Sequence, residues 1–360
     1  MFNWNWSLSL PILSNLFGHH GGAPTPTSHV TPSDSRAVTF TSGIKTSSVK
    51  VILADDRALM PVNVNGEKFE LIVDTGSTIS WLYTQRTPKY ARGNAPYYNL
   101  KSKDLVPDGS YFQLYGGLNW VGGDVFQADF KMGNMTIENQ ALGSGDIMNW
   151  ESKRGSGLLG LAFPYWNTAI GSNNASVLER ITPNLAQPLY TTSLKSPSSA
   201  YIDFGTIDPK KYSGNITYIT ADSSTGWWGV PLTSSIGNST PAPGSAILDT
   251  GSVTVMLNAG VVDAFYDKVF TYGVDQETGF KRVRCTDRLP DITLSIDGYS
   301  MTIGGETLMS RQGKDKCLCL LQAETIPGMS ILGLPFYRSR FVVHKPNYGG
   351  QPQLGFAKFA

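Results

Sequence analysis

Residues 71–77 read Leu-Ile-Val-Asp-Thr-Gly-Ser, and residues 246–252 read Ala-Ile-Leu-Asp-Thr-Gly-Ser. In both, an apolar run delivers the same tetrapeptide, with Asp74 in the first copy and Asp249 in the second. A fixed tetrapeptide arises by chance on the order of 10⁻⁵ per position. One copy would mean little. Two copies, each behind an apolar strand and half a chain apart, point to a duplicated structural unit. The plainer reading is a pair of Asx-type turns at strand ends, since Asp and Gly both form turns.

The doubling has a chemical reason. Two carboxylates at hydrogen-bond distance resist ionising together and share one proton. The ionised member takes a proton from a water held between them, and the protonated member donates to a carbonyl oxygen as that water attacks. This hydrolyses an amide with no metal, no cofactor and no covalent intermediate. Gly76 and Gly251 let the backbone turn back on the carboxylate. Ser77 and Ser252 carry hydroxyls that can donate to an ionised oxygen. Thr75 and Thr250 are placed to tie the two loops together from below.

Composition narrows the alternatives. The chain has 360 residues, long enough for two lobes with their own cores. With 29 basic and 28 acidic residues it has no excess charge for a nucleic acid. Only 16% of residues are charged and Gly is abundant, as suits a β-rich, loop-rich extracellular protein. The three cysteines, Cys285, Cys317 and Cys319, leave one over in any pairing. Cys-x-Cys without a second Cys or His cluster is a poor zinc signature, so no metal is expected. No His stands in a motif that supports a serine nucleophile.

Along the chain, Leu8–Phe17 is apolar but lacks a preceding Lys or Arg and is broken by Pro11 and Asn15. It makes a poor signal peptide and is too short to span a membrane. Residues 1–48 as a whole read as a flexible N-terminal segment, rich in Gly, Pro, Ser and Thr from residue 21. Alternating patterns from Val49 onwards predict strands, with hairpin turns at Asn65-Gly66 and Asp297-Gly298. Tyr111–Tyr115 running into Gly116-Gly117 and back through Gly122-Gly123 predicts a hairpin with a mobile tip. Val177–Arg180 reads as a short helix, and residues 258–270 as a helix capped by Asn258. Lys195–Ser199 marks the lobe boundary, giving lobes at 49–196 and 197–360.

At these residues the sequence resembles the pepsin-like aspartic peptidases of the bilobal, fungal type, over roughly residues 49–360. Trp81 follows Asp74 where that family has its Trp. Gly157-Leu158-Leu159-Gly160-Leu161 and Ile331-Leu332-Gly333 resemble the elements that close its two active-site loops. Phe341–His344 and Leu354–Ala357 look like its closing strands. The chain departs from the pattern at the flap tip (Leu118, Asn119, Trp120), at Ser156 and at Leu334, the last two standing where Asp is usual.

The resemblance implies a mostly β fold of two similar barrel-like lobes with the active site in the cleft between them. It implies an aspartic endopeptidase acting at acid pH on proteins or peptides held extended across the cleft. Asp74 and Asp249 would be the catalytic pair. Tyr115 would be the flap tyrosine, with Trp81 as its neighbour and apolar pocket walls from Ile72, Tyr115, Trp150 and Leu158. It further implies a Cys285–Cys317 disulfide with Cys319 free, inhibition by statine-type compounds, and a secreted or vacuolar monomer without membrane or cofactor. Of five Asn-x-Ser/Thr sequons, Asn134, Asn174 and Asn238 have the turn-like contexts that suit glycosylation; the others are Asn5 and Asn215.

Overall fold

Both Asp-Thr-Gly loops are built the same way. The strand Glu67–Asp74 lies parallel to Gly157–Gly160, with Leu158 opposite Ile72 and Gly160 opposite Asp74. Gly157–Gly160 in turn runs antiparallel to Trp81–Leu82. In the second half, Ala242–Leu248 lies parallel to Met329–Leu332, which runs antiparallel to Val255–Leu257. Each Asp loop is thus trapped between two outer strands by a third, later strand. Gly160 passes hard against Ser77 and Thr78, and Gly333 against Ser252 and Thr254; a Cβ at either position would collide with that backbone.

The computed structural model describes residues 37–54, 57–149, 154–164 and 175–360. The fold is mostly β in two lobes. A ten-stranded sheet carries the first Asp loop and a seven-stranded sheet the second. A six-stranded sheet joins them beneath, made of Tyr190–Leu194, Ala200–Phe204, Tyr212–Thr220, Phe341–Lys345, Gln353–Phe359 and Ser47–Lys50. One apolar core runs through both lobes across this sheet.

Both predicted hairpin turns form, with positive φ at Asn65, Gly66, Asp297 and Gly298. That is the two-residue turn whose twist matches the flanking strands. The helix Val177–Ile181 is closed by a capping box between Ser176 and Glu179. Asn258 caps the helix Ala259–Tyr266, which stops four residues short of the expected end. Cys285 and Cys317 are bonded and Cys319 is buried and free. The closed loop spans 32 residues, for which chain entropy gives about 3.7 kcal/mol.

Two stretches of the chain find their place only within the sheets. Within the stretch read as flexible, Val38–Phe40 pairs with Met135–Ser144, and Ser47–Lys50 pairs with Ala200–Phe204. Lys195–Ser199 is the turn of the hairpin between Tyr190–Leu194 and Ala200–Phe204, so the chain crosses between halves inside a sheet. Its Ser- and Pro-rich composition suits a tight turn as well as a linker.

Candidate active site

Asp74 ends one strand and Asp249 follows the other, and both side chains are fully buried where the lobes meet. Each loop doubles back so that a glycine amide reaches its own carboxylate. Gly76 N donates to Asp74 Oδ1 and Gly251 N to Asp249 Oδ1, both at 2.8 Å. The threonines exchange bonds across the interface. Thr75 N donates to Thr250 Oγ1 at 3.1 Å, and Thr250 N to Thr75 Oγ1 at 3.0 Å. The Thr75 hydroxyl donates to Leu248 O at 2.9 Å and the Thr250 hydroxyl to Val73 O at 2.8 Å. These four bonds hold the two loops together so that the carboxyl groups lie side by side, close enough for the charge of Asp74 to act on Asp249. Burial, then the charge of Asp74, pushes the Asp249 carboxyl well above the usual carboxylate range. This is the like-charge pair that cannot ionise twice.

The serines do not match. Ser77 Oγ donates to Asp74 Oδ2 at 2.5 Å. Ser252 was expected to do the same for Asp249, but its hydroxyl turns to Thr254, 3.4 Å from both Thr254 O and Thr254 Oγ1. The equivalent position in the first loop is Ile79, which offers no competing hydroxyl.

The predicted flap is the hairpin of Leu105–Leu114 and Trp120–Met132. Tyr115 at its end is fully buried. Trp81 Nε1 donates to the Tyr115 hydroxyl at 2.8 Å, and that hydroxyl also lies against Ser77. The flap tyrosine is therefore one bond removed from Asp74. Ile72 and Leu158 lie buried in the same apolar cluster as Trp81 and Tyr115. Trp150 lies outside the described residues. At the tip, Gly117 and Leu118 both have positive φ, and Leu118 is 67% exposed. Asn149 holds this turn: its Oδ1 accepts from Trp120 N at 2.7 Å and its Nδ2 donates to Leu118 O at 2.9 Å. Of the two departures near the loops, Ser156 is buried with its amide on Glu70 O. Leu334 is buried with its amide on Ser252 O.

Sequence reasoning missed several residues around the pair. Trp227 Nε1 donates across the lobes to Gly76 O at 3.1 Å, and Trp228 Nε1 to Leu161 O at 3.0 Å. Beneath Thr75 lie Tyr337 and His344. The only local signal for these was the adjacent Trp227-Trp228 and a lone His in an apolar strand.

The sequence profile of the family described as eukaryotic aspartyl protease matches residues 60–359. The chain belongs to that family. Penicillopepsin-1 of Penicillium janthinellum is 31% identical over 310 residues, covering 84% of this chain and 95% of that protein. Aspartic protease PEP1 of Arthroderma benhamiae is 34% identical over 325 residues, covering 84% and 80%. In fold, the aspartic proteinase from Irpex lacteus superposes with a TM-score of 0.72 at 19% identity, over 88% of this chain and 98% of that one. As a eukaryotic aspartyl protease the chain is an aspartic endopeptidase, a hydrolase of peptide bonds, which agrees with the paired carboxyls.

Proposed function

We propose that this endopeptidase cleaves extended peptide segments with Asp74 as the base and Asp249 as the proton donor. The observation that carries this division is the unequal support of two otherwise equivalent loops. Asp74 takes hydrogen bonds from Gly76 N and Ser77 Oγ, which favour its charged form. Asp249 takes backbone amides, from Gly251 on Oδ1 and from Ser252, but the Ser252 hydroxyl is turned to Thr254, and burial beside Asp74 drives Asp249 to keep its proton. A water bound between them loses a proton to Asp74 as it attacks the carbonyl carbon, while Asp249 protonates the carbonyl oxygen. The tetrahedral intermediate then collapses as a proton passes to the leaving nitrogen. Tyr115 closes the cleft from the first lobe and excludes bulk water.

Asp74, Asp249, Thr75, Gly76, Ser77, Thr250, Gly251, Ser252, Trp81 and Tyr115 make up the proposed machinery, with Ile72 and Leu158 behind it. The reading extends to a monomer that is secreted or vacuolar and inhibited by statine-type compounds, whose hydroxyl takes the place of the attacking water. Among the described residues no helix is long and apolar enough to cross a membrane. For glycosylation, Asn238 is exposed and is the better site; Asn134 is half-buried with its Nδ2 on Ser42 Oγ. Asn174 and Asn5 lie outside the described residues. Asn215, passed over in the sequence, is exposed where the strand Tyr212–Thr220 changes register. The experiment is digestion of a denatured protein across acid pH with and without a statine-type inhibitor. Cleavage blocked by the inhibitor supports the reading; folded protein that binds peptide without cutting it would make this a binding protein on a peptidase scaffold.

A further inference from the structure

Beneath the pair, a line of polar atoms leads away from Thr75 into the six-stranded sheet. The Tyr337 hydroxyl lies 3.2 Å from Thr75 Oγ1 and 3.1 Å from His344 Nε2. Both side chains are fully buried. The imidazole is fixed on its faces and edge, stacked on Tyr190 at 4.4 Å and 5° and edge-on to Trp228 at 4.9 Å and 81°.

The direction of each hydrogen bond follows from counting protons. A threonine hydroxyl has one proton and accepts two bonds. Thr75 spends its proton on Leu248 O, which cannot donate, and accepts from Thr250 N, which can only donate. Tyr337 must therefore donate to Thr75. With its proton committed, the Tyr337 oxygen accepts from His344, so Nε2 carries the hydrogen. That leaves Nδ1 as a bare lone pair, and Nδ1 has no partner among the described residues. The opposite tautomer would bury an unpaired N–H, the rarer and costlier fault. Burial also lowers the His344 pKa to about 3, which keeps the ring neutral and the order of donors unchanged.

We propose that His344 is a positioning residue for the catalytic pair: its Nε2–H orients the Tyr337 hydroxyl, which fixes the Thr75 hydroxyl that ties the two Asp loops together. Thr250 has no such third bond among the described residues; its hydroxyl serves only Thr75 N and Val73 O. The support is thus applied to the loop that carries the base. It rests on the endopeptidase reading, because what is positioned is the Asp74–Asp249 pair.

The test uses the full chain, a chromogenic peptide, and Asp74→Asn as the zero of activity. Tyr337→Phe removes one oxygen, and His344→Phe removes the donor while keeping a stacked ring. Each is expected to lower kcat by about fivefold or more with KM within about twofold, since misplacing reacting groups costs rate before it costs binding. The double variant should be no slower than the slower single, because the three groups act in series. His344→Gln, which restores an N–H donor, should recover kcat to within about threefold of the wild type. A Tyr337→Phe enzyme with wild-type kcat would overturn the proposal, as would losses that multiply in the double variant. If His344→Phe does not fold, Tyr337→Phe and His344→Gln decide the matter. A folded wild type that cuts nothing overturns the endopeptidase reading itself, and this proposal with it.

Discussion

The loop Asp74–Ser77 and the loop Asp249–Ser252 have the same four residues and different surroundings. Their backbones and threonines are related by a near-exchange of partners, with each Thr amide bonded to the other Thr hydroxyl. What differs lies one layer out. The first loop has Ser77 on its carboxylate, Tyr115 against that serine, Trp227 on Gly76 O and Tyr337 below Thr75. The second loop has Thr254 drawing Ser252 away. Duplication thus supplies two carboxyls in matched geometry, and the neighbours make one a better anion than the other. The pair works by sharing one proton, and the inequality decides which carboxyl holds it when substrate arrives.

The largest effect tests what the loops have in common. Asp74→Asn and Asp249→Asn should each lower the rate of peptide cleavage by about a thousandfold or more, and the double variant should be no worse than either. Circular dichroism should show all three folded. An active single variant would mean the carboxyls do not work as a pair.

The next tests the cover that leans on the first loop. Tyr115→Ala should reduce kcat/KM by about tenfold or more, roughly 1.4 kcal/mol of barrier, with the fold retained. Wild-type kinetics would make the hairpin a passive element. Sharper still is the serine comparison. Ser77→Ala should reduce kcat by about tenfold, in line with the ~1.5 kcal/mol or more of a hydrogen bond to a charged group. Ser252→Ala should stay within about threefold of wild type, because its hydroxyl bonds Thr254. Equal losses would show that Ser252 serves Asp249 during turnover.

The smallest effect is on stability. The Asp249 carboxyl has its pKa raised in the folded state, so it favours folding at pH below its unfolded value and loses that contribution as pH rises. Asp249→Asn removes the titration. The variant should melt higher than wild type at neutral pH, by about 2 °C or more, and the gap should close on acidification towards pH ~4. Melting curves at several pH values check the sign.

What was legible in the sequence was local. The Asp-Thr-Gly-Ser copies, the Asn65-Gly66 and Asp297-Gly298 turns and the capped helix at Asn258 each follow from a few adjacent residues. The Tyr115–Trp81 pairing came through resemblance, since 34 residues separate the partners. What was not legible depends on partners far along the chain. Ser47–Lys50 looks like part of a flexible stretch until Ala200–Phe204 lies beside it. His344 reads as an oddity in an apolar strand until Tyr337 is placed over it. The turn of Ser252 away from Asp249 is set by Thr254, and no pattern in the tetrapeptide carries it.

The central claim is one shared proton between Asp74 and Asp249. It is tested most directly by the pH dependence of kcat/KM for a long peptide, measured from pH 2 to 7 on the folded wild type. The account predicts a bell on the acid side of neutrality with two apparent pKa values that belong to the pair. A rate that rises through a single ionisation and stays high to neutral pH, or no cleavage at any pH, would contradict it.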